Sequence, residues 1–202
     1  AGSIELFGQN VGEHASVKTV KQAKQRVGVV FDTCSFPEEM TLEGVGKLMS
    51  YSYDAWSSAD FEQRLAQFGL PMGKRVSDLS RGMSMKLSLA CALAHDPDLL
   101  ILDEATAGLD PIARDEALDF LRDYMRDGRR GILMSSHITS DLEKIADYIV
   151  CIDAGRIVFS IEKDAITDVA GVAHCRAAEF DRIAESGFFA PGELRSIRHP
   201  YG

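Results

Sequence analysis

The sequence predicts an α/β architecture of short parallel strands layered with helices, and two observations carry that expectation. Three brief apolar runs, VGVVF at 27–31, LLIL at 99–102 and GILM at 131–134, have strand length and are separated by segments with helix start and stop signals. Each run ends on polar residues: Asp32 after the first, Asp103 and Glu104 after the second, Ser135, Ser136 and His137 after the third. Ligands bind open α/β sheets at the carboxyl ends of the strands, so these residues are the first candidates for a site.

The elements follow in order. Residues 3–7 (SIELF) alternate apolar and polar side chains and break at Gly8-Gln9-Asn10, the pattern of a half-buried strand and a turn. Residues 17–26 carry Lys18, Lys21, Lys24 and Arg26 and read as a basic, exposed segment. The continuous run at 27–31 then predicts a strand buried on both faces. From about residue 41 to 94 the texture changes, with Met49, Tyr53, Trp56, Phe61, Leu65 and Phe68 at helical spacing, which predicts an inserted helical region with these side chains in its core. Ser57 with Asp60 can cap the helix of Phe61 and Leu65, Gly69 and Pro71 stop it, and another helix should run from near Gly82 to Ala94.

Residues 99–102 make a second strand, and Asp110-Pro111 opens a helix that ends before Gly128. Asp accepts the unpaired N–H groups of a helix start, and Pro has the φ of its first position. Residues 131–134 form a third strand, Ser140-x-x-Glu143 reads as a capping box, and residues 148–152 and 157–159 pair as a hairpin across Gly155.

At 202 residues the chain has room for one domain, or one domain with a subdomain. Twenty-two basic against 31 acidic residues leave a net charge of −9, so the broad attraction to phosphate backbones is missing and no nucleic-acid partner is expected. No apolar run reaches membrane-spanning length and the N-terminus lacks a secretory layout, so the chain reads as cytoplasmic. Cys34, Cys91, Cys151 and Cys175 have neither pair spacing nor nearby histidine ligands and read as buried thiols.

An acidic pair at a strand end suits phosphate chemistry, one carboxylate near Mg²⁺ and the other facing the attacking water, although acidic pairs also cap helices. The surrounding motifs narrow the choice. LSRGM (79–83) opens a helix about twenty residues before LLILDEATAGLDP (99–111), and SSH (135–137) follows. In this order and spacing the sequence resembles the nucleotide-binding domain of ATP-binding cassette (ABC) transporters over about residues 3–160. The resemblance implies a P-loop NTPase fold with a RecA-like core and an inserted helical subdomain. The core is then 1–33 and 96–160, the signalling subdomain 34–95, and a C-terminal extension 161–202.

The resemblance also implies roles. Glu104 would be the general base or water-positioning group and His137 the switch histidine at the γ-phosphate. Asp103 would be the Walker B carboxylate near Mg²⁺. Ser80 and Gly82 would grip ATP bound by the opposite subunit, and Asp110 would lie at the dimer interface. ATP and Mg²⁺ are the implied ligands. A second nucleotide-binding domain and an integral membrane permease, of an exporter, are the implied partners, at the inner face of the cell membrane; the alternative is a non-transport ABC-type ATPase or a degenerate regulatory cassette inactive without the phosphate loop.

Three departures stand out. The phosphate loop G-x-x-x-x-G-K-[ST] does not occur in these residues; GEHASVKT at 12–19 has Val17 where close backbone approach needs glycine. Residues 1–8 resemble the family segment just after that loop, so truncation is the expectation, and with it no tight ATP binding by this chain alone. Asp32 stands where most relatives have glutamine, keeping a possible Mg²⁺ ligand but losing a hydrogen-bond donor. Arg81 and Met83 replace the glycine and glutamine of LSGGQ, while Ser80 and Gly82 remain.

Overall fold

A computed structural model describes residues 2–166 and, beyond them, residues 180, 182 and 185. The chain divides into two compact units, Ala1–Ala146 and Asp147–Gly202. The first opens on a small hairpin, β1 (Glu5–Leu6) and β2 (Gln9–Asn10), turned through Phe7 and Gly8, both at positive φ. The basic segment that follows is a helix, α1 (Val17–Lys24), whose first turn is closed by Ser16 accepting from the Thr19 N–H. Val17, Val20 and Ala23 repeat at helical spacing, but lysine and glutamine dominate the segment; the Ser16 cap marks its start.

The heart of the first unit is a parallel sheet of three strands in the order β3 (Val27–Val30), β4 (Leu99–Asp103), β5 (Gly131–Ser135). Register aligns Val29, Ile101 and Leu133 in one row, and Asp103 opposite Ser135. The expected double-sided burial of the first strand is half right. Val27 and Val30 are buried, but Val29 and Phe31 are exposed, as is Leu133 on β5, so within the described residues the face that carries Val29 is covered at the start of β3 and open beyond it. On the face that carries Val30, Gly28 lies against the last turn of the helix that ends at Leu93 and against Leu100 and Pro97. A Cβ there would sit 2.5 Å from the Ala92 carbonyl oxygen and 2.9 Å from Leu100 Cδ1.

The inserted helical region consists of α2 (Leu42–Ser50), α3 (Ser58–Gln67) and α4 (Arg81–Leu93). Ser57 caps α3 as expected, and Gly69, at φ +68, follows its end. Phe61 and Leu65 are fully buried. Tyr53 and Trp56 keep helical spacing from Met49, yet they lie beyond the end of α2. The Gln25 side chain holds this connection, donating to the Ser52 carbonyl and accepting from the Asp54 N–H. Tyr53 stacks on the buried His95 ring at 3.7 Å.

Helix α4 is buried around most of its circumference. Met85, Leu89, Ala92 and Leu93 join Val30, Leu100 and Leu102 of the sheet and Leu118 and Leu121 of α5 (Pro111–Met125). Leu87, Ala90, Cys91 and Ala94 join Leu42, Val45, Phe61 and Leu65 of α2 and α3. Each fully buried leucine contributes roughly 1.5–3 kcal/mol, so α4 is the bond between the helical layer and the sheet. Lys86 of α4 pairs with Glu116 of α5 at 2.7 Å. The Tyr124 hydroxyl of α5 donates to the Pro97 carbonyl at 2.7 Å, and burial pushes its pKa up to about 12.

The last helix of this unit, α6 (Thr139–Ile145), starts without the expected capping box. Its N-cap position is Ile138, with no side-chain cap. Ser136 Oγ accepts from the Ile138 N–H and turns the chain into the helix two residues earlier than a cap at Ser140 would. The second unit contains the expected hairpin, β6 (Tyr148–Asp153) paired antiparallel with β7 (Arg156–Glu162), turned through Ala154 and Gly155 at positive φ. Cys91 is buried, and that burial raises its thiol pKa, whereas Cys34 and Cys151 are half-buried; Cys175 lies outside the described residues. Among the described residues no helix is long and apolar enough to cross a membrane.

Two substitutions test this packing. Gly28→Ala should lower stability in urea unfolding by about 3 kcal/mol, the upper end for overpacking, because backbone rather than a movable side chain opposes the methyl group. Asp110 caps α5 by accepting from the Ile112 and Ala113 N–H groups at 3.1 and 3.0 Å. Asp110→Ala should therefore cost about 1 kcal/mol, read as a lower melting temperature.

Candidate functional site

The carboxyl ends of β4 and β5 are joined by a set of short polar contacts. Ser135 Oγ donates to Asp103 Oδ1 at 2.6 Å and accepts from the Glu104 N–H at 3.1 Å. The same N–H also reaches the Ser135 carbonyl at 3.2 Å. Glu104 sits at φ +49, in the left-handed region, where a non-glycine residue costs roughly 1–2 kcal/mol, and these bonds to Ser135 hold it there.

From that turn the Glu104 side chain meets His137, with Oε2 2.7 Å from Nδ1. A His137 Nδ1–H donating to the carboxylate leaves Nε2 as the outward nitrogen. The His137 side chain is 71% exposed and that of Glu104 35%, so the pair stands at the surface with a free approach to a ligand. The arrangement can orient a water molecule at Glu104 and, when the ring carries both protons, donate from Nε2–H to an anion beside it. The two residues are 33 positions apart in sequence, and parallel pairing of β4 with β5 brings them together.

Asp32 lies beyond the end of β3, whose last residue, Val30, pairs with Leu102. Asp32 and Asp103 thus leave neighbouring strands at the same edge of the sheet. Asp32 also lines a groove of about 240 Å³ with Cys34, Arg81, Ser84 and Leu109. Ser80 and Gly82 are at the start of α4, where Ser80 Oγ accepts from the Met83 N–H at 3.3 Å. Gly82 faces α5, a Cβ there lying 3.3 Å from that of Ala113. Asp110 is occupied as the cap of α5.

The structure therefore joins Asp103, Glu104 and His137 directly through Ser135 and the Glu104–His137 bond. It records no hydrogen bond or ion pair from Ser80, Gly82 or Asp110 to that group. Three contributions were not apparent from the sequence. Ser135 was only part of the SSH motif, with no stated role. Arg81 packs its guanidinium over Gly108, where an added Cβ would meet Arg81 Cζ at 2.7 Å. Thr106 donates to Asp141 Oδ2 at 2.7 Å, and both residues are fully buried. Thr106 lay inside the recognised motif, but nothing in the sequence marked Asp141 as its partner.

Comparison with known proteins places the fold in a family. A family model described as "ABC transporter" matches residues 1–107. The chain is 34% identical over 159 residues to the bacitracin transport ATP-binding protein BcrA of Enterococcus faecalis, a match that covers 78% of this chain and 50% of that protein. It is 37% identical over 163 residues to the Nod factor export ATP-binding protein I of Cupriavidus pinatubonensis, covering 77% and 47%. The chain thus spans about half the length of these curated relatives. A solved ATP-binding subunit of an ABC transporter superposes with a TM-score of 0.70 at 28% identity, covering 83% of this chain and 70% of that one. The fold is that of ABC ATPase subunits, and the chain belongs to the ABC transporter family.

Proposed function

We propose that this chain provides the hydrolytic and signature elements of an ATP-hydrolysing cassette that drives a membrane exporter. The observation that carries the reading is the 2.7 Å contact of Glu104 with His137, beside Asp103, at the carboxyl edge of the sheet. Names of relatives that include bacitracin transport and Nod factor export support the assignment to export. The transporter subunit works at the inner face of the membrane against a separate permease, and pairs with a second nucleotide-binding domain.

In this reading Glu104 orients the attacking water and accepts its proton, while the bond from His137 fixes the carboxylate's direction. His137 presents Nε2 to the γ-phosphate. Ser80 and the N–H groups at the start of α4 face the nucleotide held by the opposite subunit, since a helix start with a serine cap favours anions. Asp110, at the start of α5, lies along the same dimer interface.

The donor set fits Mg²⁺ bound with ATP. Among the described residues no cluster of three His, Cys, Asp or Glu groups forms a protein cage. Mg²⁺ in nucleotide sites needs only one or two carboxylates, with waters and phosphate oxygens completing the shell. Asp103 and Asp32 leave the sheet at one edge and are the residues that would hold it. Bound there, the ion would supply charge neutralisation at the phosphates.

The test uses a polypeptide that carries a phosphate-binding loop ahead of Ala1. Glu104→Gln should keep ATP binding while lowering kcat on the order of 10²–10⁴-fold, as expected for loss of a general base. Unchanged turnover would overturn the catalytic role of Glu104. Ser80→Arg should abolish nucleotide-dependent dimerisation, measured by analytical ultracentrifugation with ATP, and with it turnover.

A further inference from the structure

The exposed Glu104–His137 pair stands above a buried bond that its proposed chemistry does not use. Thr106 lies two residues after Glu104, and Asp141 four residues, about one helical turn, after His137. Their 2.7 Å bond is enclosed, with Thr106 at 0% and Asp141 at 1% exposure. Burying a carboxylate is costly unless it is hydrogen-bonded, and a hydroxyl donating to an ionised oxygen makes one of the stronger protein hydrogen bonds. The segment 103–106 and the segment 135–141 are thereby cross-linked on both sides of the pair, by Ser135 at one end and by Thr106–Asp141 at the other. Among the described residues the His137 side chain is held by its bond to Glu104.

We infer that Thr106 and Asp141 are positioning residues that set the distance and direction of the Glu104–His137 bond. The inference rests on the proposed hydrolytic role of Glu104. The hydroxyl of Thr106 fastens the turn after Glu104 to the first turn of α6. That contact stops the His137 segment, which leads directly into α6, from withdrawing with the start of that helix. Asp141 acts here through its acceptor oxygen.

The experiment reads the imidazole directly. The 202-residue chain is labelled with ¹⁵N-histidine, with His137→Gln used to assign the His137 signals, whose ¹⁵N shifts report tautomer and hydrogen bonding. Thr106→Val, which keeps the shape and removes the donor, should shift the His137 signals toward those of a Glu104→Gln chain. Thr106→Ser should restore them, and Asp141→Asn, whose side-chain carbonyl can still accept, should leave them near wild type. In the polypeptide carrying a phosphate-binding loop, Thr106→Val should lower kcat about ten- to a hundredfold with little change in KM, and Thr106→Ser should recover it.

Wild-type His137 signals in folded Thr106→Val would overturn the inference, as would failure of Thr106→Ser to restore them. Should Thr106→Val not fold, Asp141→Asn decides: signals displaced in a chain of native circular dichroism would refute the acceptor role. The spectra do not depend on turnover. Displaced signals in Thr106→Val together with full activity of Glu104→Gln would sink the hydrolytic reading and leave the positioning contact intact.

Discussion

Helix α4 is the constraint on which the rest of the first unit depends. Its residues divide between two cores, one shared with the sheet and α5, the other with α2 and α3. A helix buried on opposite sides cannot rotate or slide without opening both cores, because protein interiors are packed as densely as organic crystals. The position of its first turn is therefore set from outside, by the helical layer and the sheet together. Ser80 and Gly82 occupy that turn, and Arg81 reaches from it to Gly108 in the loop between Glu104 and Asp110.

A second constraint acts at the sheet edge. Parallel strands with evenly spaced bonds bring their carboxyl ends side by side, so residues from distant parts of the sequence emerge together. Asp103, Glu104, Ser135 and His137 meet for that reason, and each contact limits the next. Ser135 uses one hydroxyl as donor to Asp103 and as acceptor from the Glu104 N–H. That second bond supports the left-handed turn that aims Glu104 at His137. Short bonds thus tie down the backbone of the turn while the Glu104 and His137 side chains stay accessible.

Much of this was legible beforehand. The caps at Ser57 and Asp110, the stop at Gly69 and the three strands follow from local chemistry, and the structure places them where that chemistry predicts. Elements decided by neighbours were not legible. Tyr53 and Trp56 follow the helical period of Met49 but sit in a connection held by Gln25, a residue from a different element. Ser140 and Glu143 have the spacing of a capping box, yet Ser136 starts α6 first. Helix α1 has Val17, Val20 and Ala23 at helical spacing, but its lysines and glutamine made the segment read simply as basic and exposed. The run at 27–31 is apolar throughout, and periodicity alone cannot tell that Val29 and Phe31 face outward within the described residues.

The sequence alone determined the family, the strand-end carboxylates and histidine, and the helix boundaries that depend on serine, aspartate, proline or glycine. These rest on side-chain chemistry that acts over a few residues or on motifs whose order is one-dimensional. Tertiary structure decided the Glu104–His137 bond, the buried Thr106–Asp141 link, the seat of Arg81 against Gly108 and the two-sided burial of α4. Each of those joins segments whose meeting is dictated by strand register and core packing, and neither leaves a periodic signal in the order of amino acids.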